Sequence, residues 1–253
     1  LKDLGGKTPL EKAKTPVLDD LSSHGQLLAV EPPEGVCSLE TAWLALLGLH
    51  QGPEVAARGP LEAYSLGYVL SPQQVAFSLR FASAGQGVVV DVSDEVLTDA
   101  EGTLLCQALN AHLGNQGCHF LPLAGPRAVL ISDHPALVAA VKDPTPHAIE
   151  VVGRRWREVL PGGDAVRTLM KGAAQVLTQH EINALRADLE ETIVNALLLS
   201  GGGGRPTWAQ PSVADAVDRA RWILYTTDAA ATGIAQTLGI QKWILGPEGK
   251  KFD

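Results

Sequence analysis

Three polar side chains at the predicted start of a helix, Ser38, Glu40 and Thr41, are the first residues in the chain that could do chemistry. The dipole of a helix stabilises negative charge at its N-terminus, where it can also activate a hydroxyl nucleophile. The same residue types cap helix ends by hydrogen-bonding free backbone N–H groups, and capping is the simpler role for each of them. The segment therefore supports two interpretations, a nucleophile or a cap.

Arg58 is the second candidate, because it lies beside Gly59 and Pro60 in a segment that reads as a loop. A guanidinium in a loop is suited to clamp a phosphate or a carboxylate through paired hydrogen bonds. Glu62 follows four residues later, so a structural salt bridge is an equal alternative.

Two further groups of residues have metal-ligand chemistry but lack the spacing of a metal site. The acidic group fits no calcium loop, and a solvated turn is the favoured interpretation; its members are Asp91, Asp94, Glu95, Asp99 and Glu101. The second group offers soft ligands without zinc-site spacing; its members are His112, Cys118, His119 and His134. We therefore name no metal ligand from these patterns.

The glycine run at 201–204 invites comparison with a phosphate-binding loop, in which backbone amides cradle phosphate. No Gly-Lys-Ser/Thr follows the run, and Pro206 opposes a helix start there. The pattern therefore argues against a phosphate loop.

The elements that position the first candidates are a short helix from Pro16 to Gly25, a strand over 26–30 and a helix from Ser38 to Leu47. A strand, a loop and a helix in this order form the kind of edge at which α/β folds place their sites. We therefore expect an α/β domain around Ser38.

A second pattern begins near residue 69. Strands are predicted over 74–81, 87–91 and 128–131 with a helix over 99–113, which is a small α+β unit. A long helix is predicted from a Thr178 cap through Leu197, and a helix, a strand and a helix follow over 213–220, 222–225 and 228–238. The predicted architecture is an α/β domain of residues 1–68 and 206–253, interrupted by an inserted α+β domain of residues 69–205.

Composition limits the partners. The 253 residues are 45% hydrophobic and carry a formal charge of −8 without an extended Lys/Arg run, which argues against nucleic acid and anionic membranes. Three cysteines without a C-x-x-C pair favour a reducing cytoplasm. The chain opens at Leu1 and closes at Asp253 without a clear final element, so we expect it to be incomplete.

Several segments together resemble the archaeal type of cofactor-independent phosphoglycerate mutase, a member of the alkaline phosphatase superfamily. The similar segments, in chain order, are 4–11, 14–19, 41–48, Arg58–Ala63, 75–77, 145–147 and 183–186, with Asn195 and the glycine run. The resemblance implies an alkaline-phosphatase-like α/β domain with an inserted domain. It also implies two divalent metal ions (Mn, Zn, Mg or Co) and a serine that carries phosphate between the 3- and 2-positions of glycerate in glycolysis.

The chain departs from the family pattern at the positions that matter for this chemistry. The pattern Gly-Ser-Asp-Thr-Ala-His aligns on 38–43, which places Leu39 at the nucleophile position and Trp43 at the histidine. Ser38 is one residue away, and a shift of one residue on a helix turns the side chain by about 100°. Ser78, the segment 92–95 and Pro126 replace basic residues of the family, and the family's metal ligands fall outside the chain.

The positions that are retained are the expected substrate contacts, Arg58, Arg127, His147 and Arg186, whereas Asn183 and Asn195 fit helix-end hydrogen bonding equally well. The sequence therefore predicts a divergent, catalytically impaired mutase-like protein that holds no metal itself and binds, if anything, a small phosphorylated metabolite. The alternative is an active metal-dependent phosphotransferase or phosphatase on another phosphorylated metabolite, using Ser38, Thr41 or a metal-bound water. The oligomeric state stays open.

Overall fold

The structure, a computed structural model, describes residues 2–26, 28–29, 31, 38–47, 57–142, 148–160, 163–206, 223–238 and 240–244. The chain divides into two compact units, residues 1–33 and residues 34–253. The predicted boundaries at 68 and 206 remain predictions.

The first unit consists of a 3-10 helix, Lys2–Leu4, and two α-helices, α1 (Pro9–Lys12) and α2 (Pro16–His24). Each α-helix begins at a proline, which suits the first helical position because it lacks an N–H. The predicted helix up to Gly25 is thus confirmed. The strand predicted over 26–30 is wrong where the structure describes it, because residues 26, 28 and 29 are irregular and pair with no described strand.

The second unit contains an α/β part that begins with α3 (Leu39–Leu46) and α4 (Arg58–Ser65). It continues with a parallel pair of strands, β6 (Ile223–Thr226) and β7 (Gln241–Ile244), which α10 (Ala229–Leu238) connects. A small apolar core joins the helices, with Leu44, Leu61, Ala230, Ile234 and Leu238 buried. The predicted strand and helix near 222–238 are confirmed, whereas the helix predicted over 213–220 lies outside the described residues.

Between α4 and β6 lies an antiparallel sheet centred on β1 (Val75–Gly85). The other strands are β2 (Val88–Asp91), β3 (Cys118–Pro122), β4 (Arg127–Ser132) and β5 (Ala196–Gly204). Along β1, β5 pairs on one side and β4 on the other, with β3 beyond β4, while β2 pairs with the end of β1 in a hairpin.

Helices cover this sheet and close the larger core, in which Phe77, Phe81 and Phe120 are buried. The longest are α5 (Asp99–Leu113) and α8 (Asp164–Thr178), each 15 residues long. The shorter ones are α6 (Pro135–Ala139), α7 (Trp156–Val159) and α9 (Glu181–Asp188), together with 3-10 helices at Gly114–Gln116, Ala140–Lys142 and Ala148–Val151.

The long helix predicted from Thr178 to Leu197 is wrong. Thr178 ends α8, His180 caps α9 through its Nδ1, and α9 ends before Glu190, whose φ of 58° is left-handed. Leu197 belongs to β5, in which a continuous apolar run is buried against the helices. Among the described helices, none has both the length and the apolar character needed to cross a membrane.

Candidate functional site

The N-terminus of α3 carries the hydroxyls that the sequence singles out, and they bind each other. The Thr41 backbone N–H donates to Ser38 Oγ at 3.2 Å, and the Ser38 N–H donates to Thr41 Oγ1 at 3.0 Å. Thr41 also donates its own proton to the Ser38 carbonyl at 2.9 Å, and its side chain is fully buried. Both residues therefore serve as helix caps, as the simpler interpretation predicts.

Leu39 is the first residue of α3, and 56% of its surface is exposed. It thus occupies the position at the helix N-terminus where an anion or a nucleophile would be stabilised. An aliphatic side chain there has neither a proton to lose nor a lone pair to donate.

Arg58, the first residue of α4, binds three carboxylates at once. Its Nε donates to Glu62 at 2.8 Å, its Nη1 to Glu40 at 2.8 Å and its Nη2 to Asp228 at 2.6 Å. The predicted salt bridge with Glu62 is confirmed, and two further partners join it. We call this group the Arg58 cluster; it ties together α3, α4 and the start of α10.

The pKa values of the Arg58 cluster follow from burial and from the central charge. Burial raises the pKa of Glu62, and the positive charge of Arg58 opposes this only in part. Burial also acts to raise the pKa of Asp228, but the hydrogen bond and charge of Arg58 outweigh it and lower that pKa. Burial acts to lower the pKa of the Arg58 guanidinium, but the carboxylates of Glu62 and Asp228 outweigh this effect and raise that pKa above its ordinary value. The cluster is an ion network with more negative than positive charge.

The glycine run forms the end of β5 and makes room for α4. Side chains at three of its four positions would collide with neighbours: a Cβ on Gly201, whose φ is 53°, would lie 2.8 Å from Arg58 Cβ. A Cβ on Gly203 would lie 2.6 Å from Ala57 Cβ, and one on Gly202 would strike the ring of Phe77. The run therefore lets α4 lie directly on the sheet, which agrees with the argument against a phosphate loop.

Arg127 lines a cavity of about 400 Å³ between the antiparallel sheet and the α/β part. The N-terminal residues of two helices, Asp99 of α5 and Ala229 of α10, also line it. Nε of Arg127 is buried without a hydrogen bond to any described residue, and Asp94, 4.0 Å away, binds Arg80 at 3.0 Å. A guanidinium with spare donors beside helix N-termini is suited to hold a small anion.

The remaining predicted contacts lie elsewhere. Arg186 is buried, donates to the Thr192 carbonyl at 2.8 Å and binds Glu101, so its guanidinium ties α9 to α5. Asn183 and Asn195 each exchange two hydrogen bonds with one backbone residue, Val194 and Ala84 respectively. His147 lies outside the described residues.

Three of the acidic residues considered as metal ligands bind other groups of the protein. Asp94 binds Arg80, Asp99 accepts from the Gly125 N–H at 2.6 Å, and Glu101 closes a capping box with Thr98. Within the described ranges, no three His, Cys, Asp or Glu side chains are arranged to hold a metal ion. The described residues therefore do not form the two-metal site that the resemblance implies.

Ser38, Thr41 and Arg58 are thus brought together, because Glu40 of α3 binds Arg58. Arg127 lies apart from them, in the cavity at the other end of α4 that Ser65 also lines. Asp228 is a member of the Arg58 cluster that the sequence analysis does not predict. Its position before an alanine run marks it as a cap, and it does accept from Ala230 N at 2.8 Å. No local signal reports its contact with a residue 170 positions away.

Fold and site together define a mixed α/β protein with a capped helix N-terminus, an ion cluster behind it and an arginine-lined cavity. The chain matches the family described as 2,3-bisphosphoglycerate-independent phosphoglycerate mutase over residues 22–183. It belongs to that family.

Curated relatives and solved structures agree with this assignment. The chain is 32% identical over 208 residues to the 2,3-bisphosphoglycerate-independent phosphoglycerate mutase of Methanosarcina barkeri. The matched region covers 80% of this chain and 52% of that protein. It is 34% identical over 218 residues to the enzyme of the same name from Methanopyrus kandleri. That match covers 79% of this chain and 51% of the relative. The chain therefore spans about half the length of these relatives.

The cofactor-independent phosphoglycerate mutase of Thermoplasma acidophilum has a similar structure, with a TM-score of 0.52 and 25% identity, covering 96% of this chain and 65% of that one. A solved Pyrococcus horikoshii protein gives a TM-score of 0.63 at 22% identity, covering 96% and 57%, which supports the fold alone.

Proposed function

We propose that this protein is a phosphoglycerate-mutase-like scaffold in which phosphoryl transfer through a serine has been lost. The observation that carries the proposal is Leu39, exposed at the N-terminus of α3 where the family pattern has its serine. A carbon side chain cannot accept phosphate, so the phosphoserine route from 3-phosphoglycerate to 2-phosphoglycerate has no carrier at this position.

The neighbouring hydroxyls do not replace the serine in this proposal. Thr41 is fully buried, and its proton is already donated to the Ser38 carbonyl. Ser38 is half-buried and accepts from the Thr41 N–H, so nucleophilic attack would require the cap to open. These contacts favour the impaired mutase over the alternative of an active phosphotransferase or phosphatase.

Binding of a small phosphorylated metabolite is a separate part of the proposal. Arg127 lines a cavity of about 400 Å³, and its nearest described carboxylate, Asp94, lies 4.0 Å away and binds Arg80 more closely, so we assign Arg127 the main anion contact. Arg58 and Arg186 contribute less, because carboxylates already neutralise both guanidiniums. His147 stays a predicted contact.

The alkaline-phosphatase-like character of the α/β part, the status of residues 69–205 as an inserted domain and the cytoplasmic location are also proposals. They are supported by the family assignment and by the presence of the antiparallel sheet between α4 and β6.

The proposal is tested by assaying the protein at its natural full length for conversion of 3-phosphoglycerate to 2-phosphoglycerate with Mn²⁺, Zn²⁺, Mg²⁺ or Co²⁺. The Thermoplasma acidophilum mutase serves as the positive control. We expect no turnover above the buffer rate, whereas calorimetry should detect 3-phosphoglycerate binding that Arg127→Gln weakens about tenfold. Turnover that survives Ser38→Ala and Thr41→Val would point to a metal-bound water and refute the impaired-mutase proposal.

A further inference from the structure

The segment from Gly153 to Arg157 carries three exposed arginines in an otherwise acidic protein, Arg154, Arg155 and Arg157. We infer that this arginine segment is a docking surface for an acidic, partly apolar segment of another protein. This inference does not depend on the mutase chemistry, since it concerns a different surface.

The charges of the arginine segment are not paired with any carboxylate among the described residues, whereas most other described arginines are paired. Five other arginines lie within 4.0 Å of a carboxylate: Arg58, Arg80, Arg127, Arg167 and Arg186. The side chains of Arg154, Arg155 and Arg157, by contrast, make no ion pair or hydrogen bond with any described residue. Glu150 and Glu158 flank the segment, yet neither pairs with it. No carboxylate of the described part of the chain neutralises these three charges, which leaves them available to a partner.

The backbone holds these arginines in place at the edge of the sheet. The Val89 N–H donates to the Arg154 carbonyl at 3.0 Å, and the Gly153 N–H donates to the Val89 carbonyl at 2.9 Å. The Trp156 N–H donates to the Gly87 carbonyl at 2.7 Å, and the Trp156 side chain packs against the main core. Because this backbone is already hydrogen-bonded, binding there loses less backbone entropy.

An acidic protein segment fits this surface better than a nucleic acid does. Guanidiniums form paired hydrogen bonds with carboxylates, and the three arginines lie within four consecutive residues at the start of α7, so one short acidic segment can reach all of them. Val90 and Val152, about half exposed beside the segment, offer contacts to apolar side chains. Trp156 is partly buried against the main core, which leaves less of its ring for stacking on a base, and the overall charge of −8 repels a long polyanion more strongly than a short acidic peptide.

The inference is tested with a fluorescein-labelled peptide of alternating glutamate and leucine, titrated with the full-length protein at 50 mM NaCl. The test variant combines Arg154→Glu, Arg155→Glu and Arg157→Glu. The control variant combines Lys7→Glu, Lys12→Glu and Lys14→Glu, which are exposed lysines elsewhere and give the same change in net charge.

We expect the test variant to bind the peptide at least tenfold more weakly and the control variant less than twofold more weakly. A second variant with glutamine at the three arginine positions should also lose binding, and its unchanged melting temperature would exclude misfolding. Equal losses in both glutamate variants, no binding by the unmodified protein, or tighter binding of a poly-dT oligonucleotide than of the peptide would each overturn the inference. In the case of no binding, the arginines would act only to keep the sheet edge from aggregating.

Discussion

Arg58 holds one positive charge among three carboxylates, one of which, Glu62, is almost completely buried. Removing the guanidinium leaves this carboxylate without its counter-charge, and breaking a buried ion pair by deleting one partner costs about 3–5 kcal/mol. We therefore expect Arg58→Ala to lower the free energy of unfolding by that amount in urea denaturation.

The matched control is Arg157→Ala, which removes an exposed arginine that makes no ion pair with the described residues. A surface change of this kind is expected to stay within about 0.5 kcal/mol. If Arg58→Ala cost no more than Arg157→Ala, the Arg58 cluster would not stabilise the fold.

Asp228 gives the Arg58 cluster a pH dependence. Because its folded pKa is lowered, its contribution to stability is complete above the unfolded pKa, about 3.9, and is lost as the pH falls through the lower, folded value. Glu62, with a raised pKa, acts in the opposite sense: it contributes at low pH, and the contribution is lost as the pH rises through its folded pKa.

Asp228→Asn isolates the charge, because asparagine keeps the cap of α10. We expect the variant to lose about 1–3 kcal/mol at pH 7 and to show a smaller further loss than the unmodified protein between pH 5 and pH 3. Urea denaturation at the three pH values measures both quantities. An unchanged acid slope would assign the pH dependence to other groups.

Individual residues could be read from the sequence where their partners are local. The capping pair Ser38 and Thr41 lie three residues apart, and the ion pair Arg58 and Glu62 lie four apart. The structure contains both of these predicted contacts. Asp228 and Glu101 bind arginines 170 and 85 residues away, and no pattern in the sequence predicts contacts of that range.

Helix α10 packs on α4 through a glycine, and this contact sets how close the two helices can lie. A Cβ added to Gly233 would fall within the van der Waals radius of the Leu61 carbonyl, which is backbone and cannot turn aside. We expect Gly233→Ala to lower the melting temperature and to cost about 3 kcal/mol or more.

Gly172→Ala in α8 is the control, since its added Cβ would be 3.7 Å from Leu113 Cδ2, an ordinary contact. There the gain in helix propensity should raise stability by about 0.5–1 kcal/mol. The same chemical change is thus predicted to have opposite signs in the two helices, and equal effects would contradict the packing argument.

Elements with their own start and stop signals were the ones that the sequence predicted well. The bounds of α5 match the prediction, because Thr98 and Glu101 form a capping box at its start. The helix predicted through Leu197 is wrong beyond Asp188, because its apolar spacing fits a helix while the structure places Ala196 and Leu197 in β5, paired with β1 and buried in the larger core. Burial by the rest of the fold favours the strand over the helix, and a local sequence pattern contains no information about that burial.

The larger core encloses two cysteines, Cys106 and Cys118, that report on the opening of the whole second unit. Burial raises the pKa of the Cys106 thiol to about 12 and also raises that of Cys118, so neither forms thiolate readily at pH 8. We expect both to resist a thiol reagent in the native protein and to react within minutes in denaturing urea, as mapped by mass spectrometry. Fast labelling of either cysteine in the native state would show that this core opens locally.

The central claim, that phosphoryl transfer is lost at Leu39, is tested most directly by intact-mass spectrometry of the full-length protein after incubation with 3-phosphoglycerate and divalent metal. The Thermoplasma acidophilum enzyme run in parallel controls for trapping of the phosphorylated form. The account predicts that this protein gains no phosphoryl group. A phosphoryl group mapped to Ser38 or Thr41 would contradict it, because the cap would then have opened to supply the nucleophile.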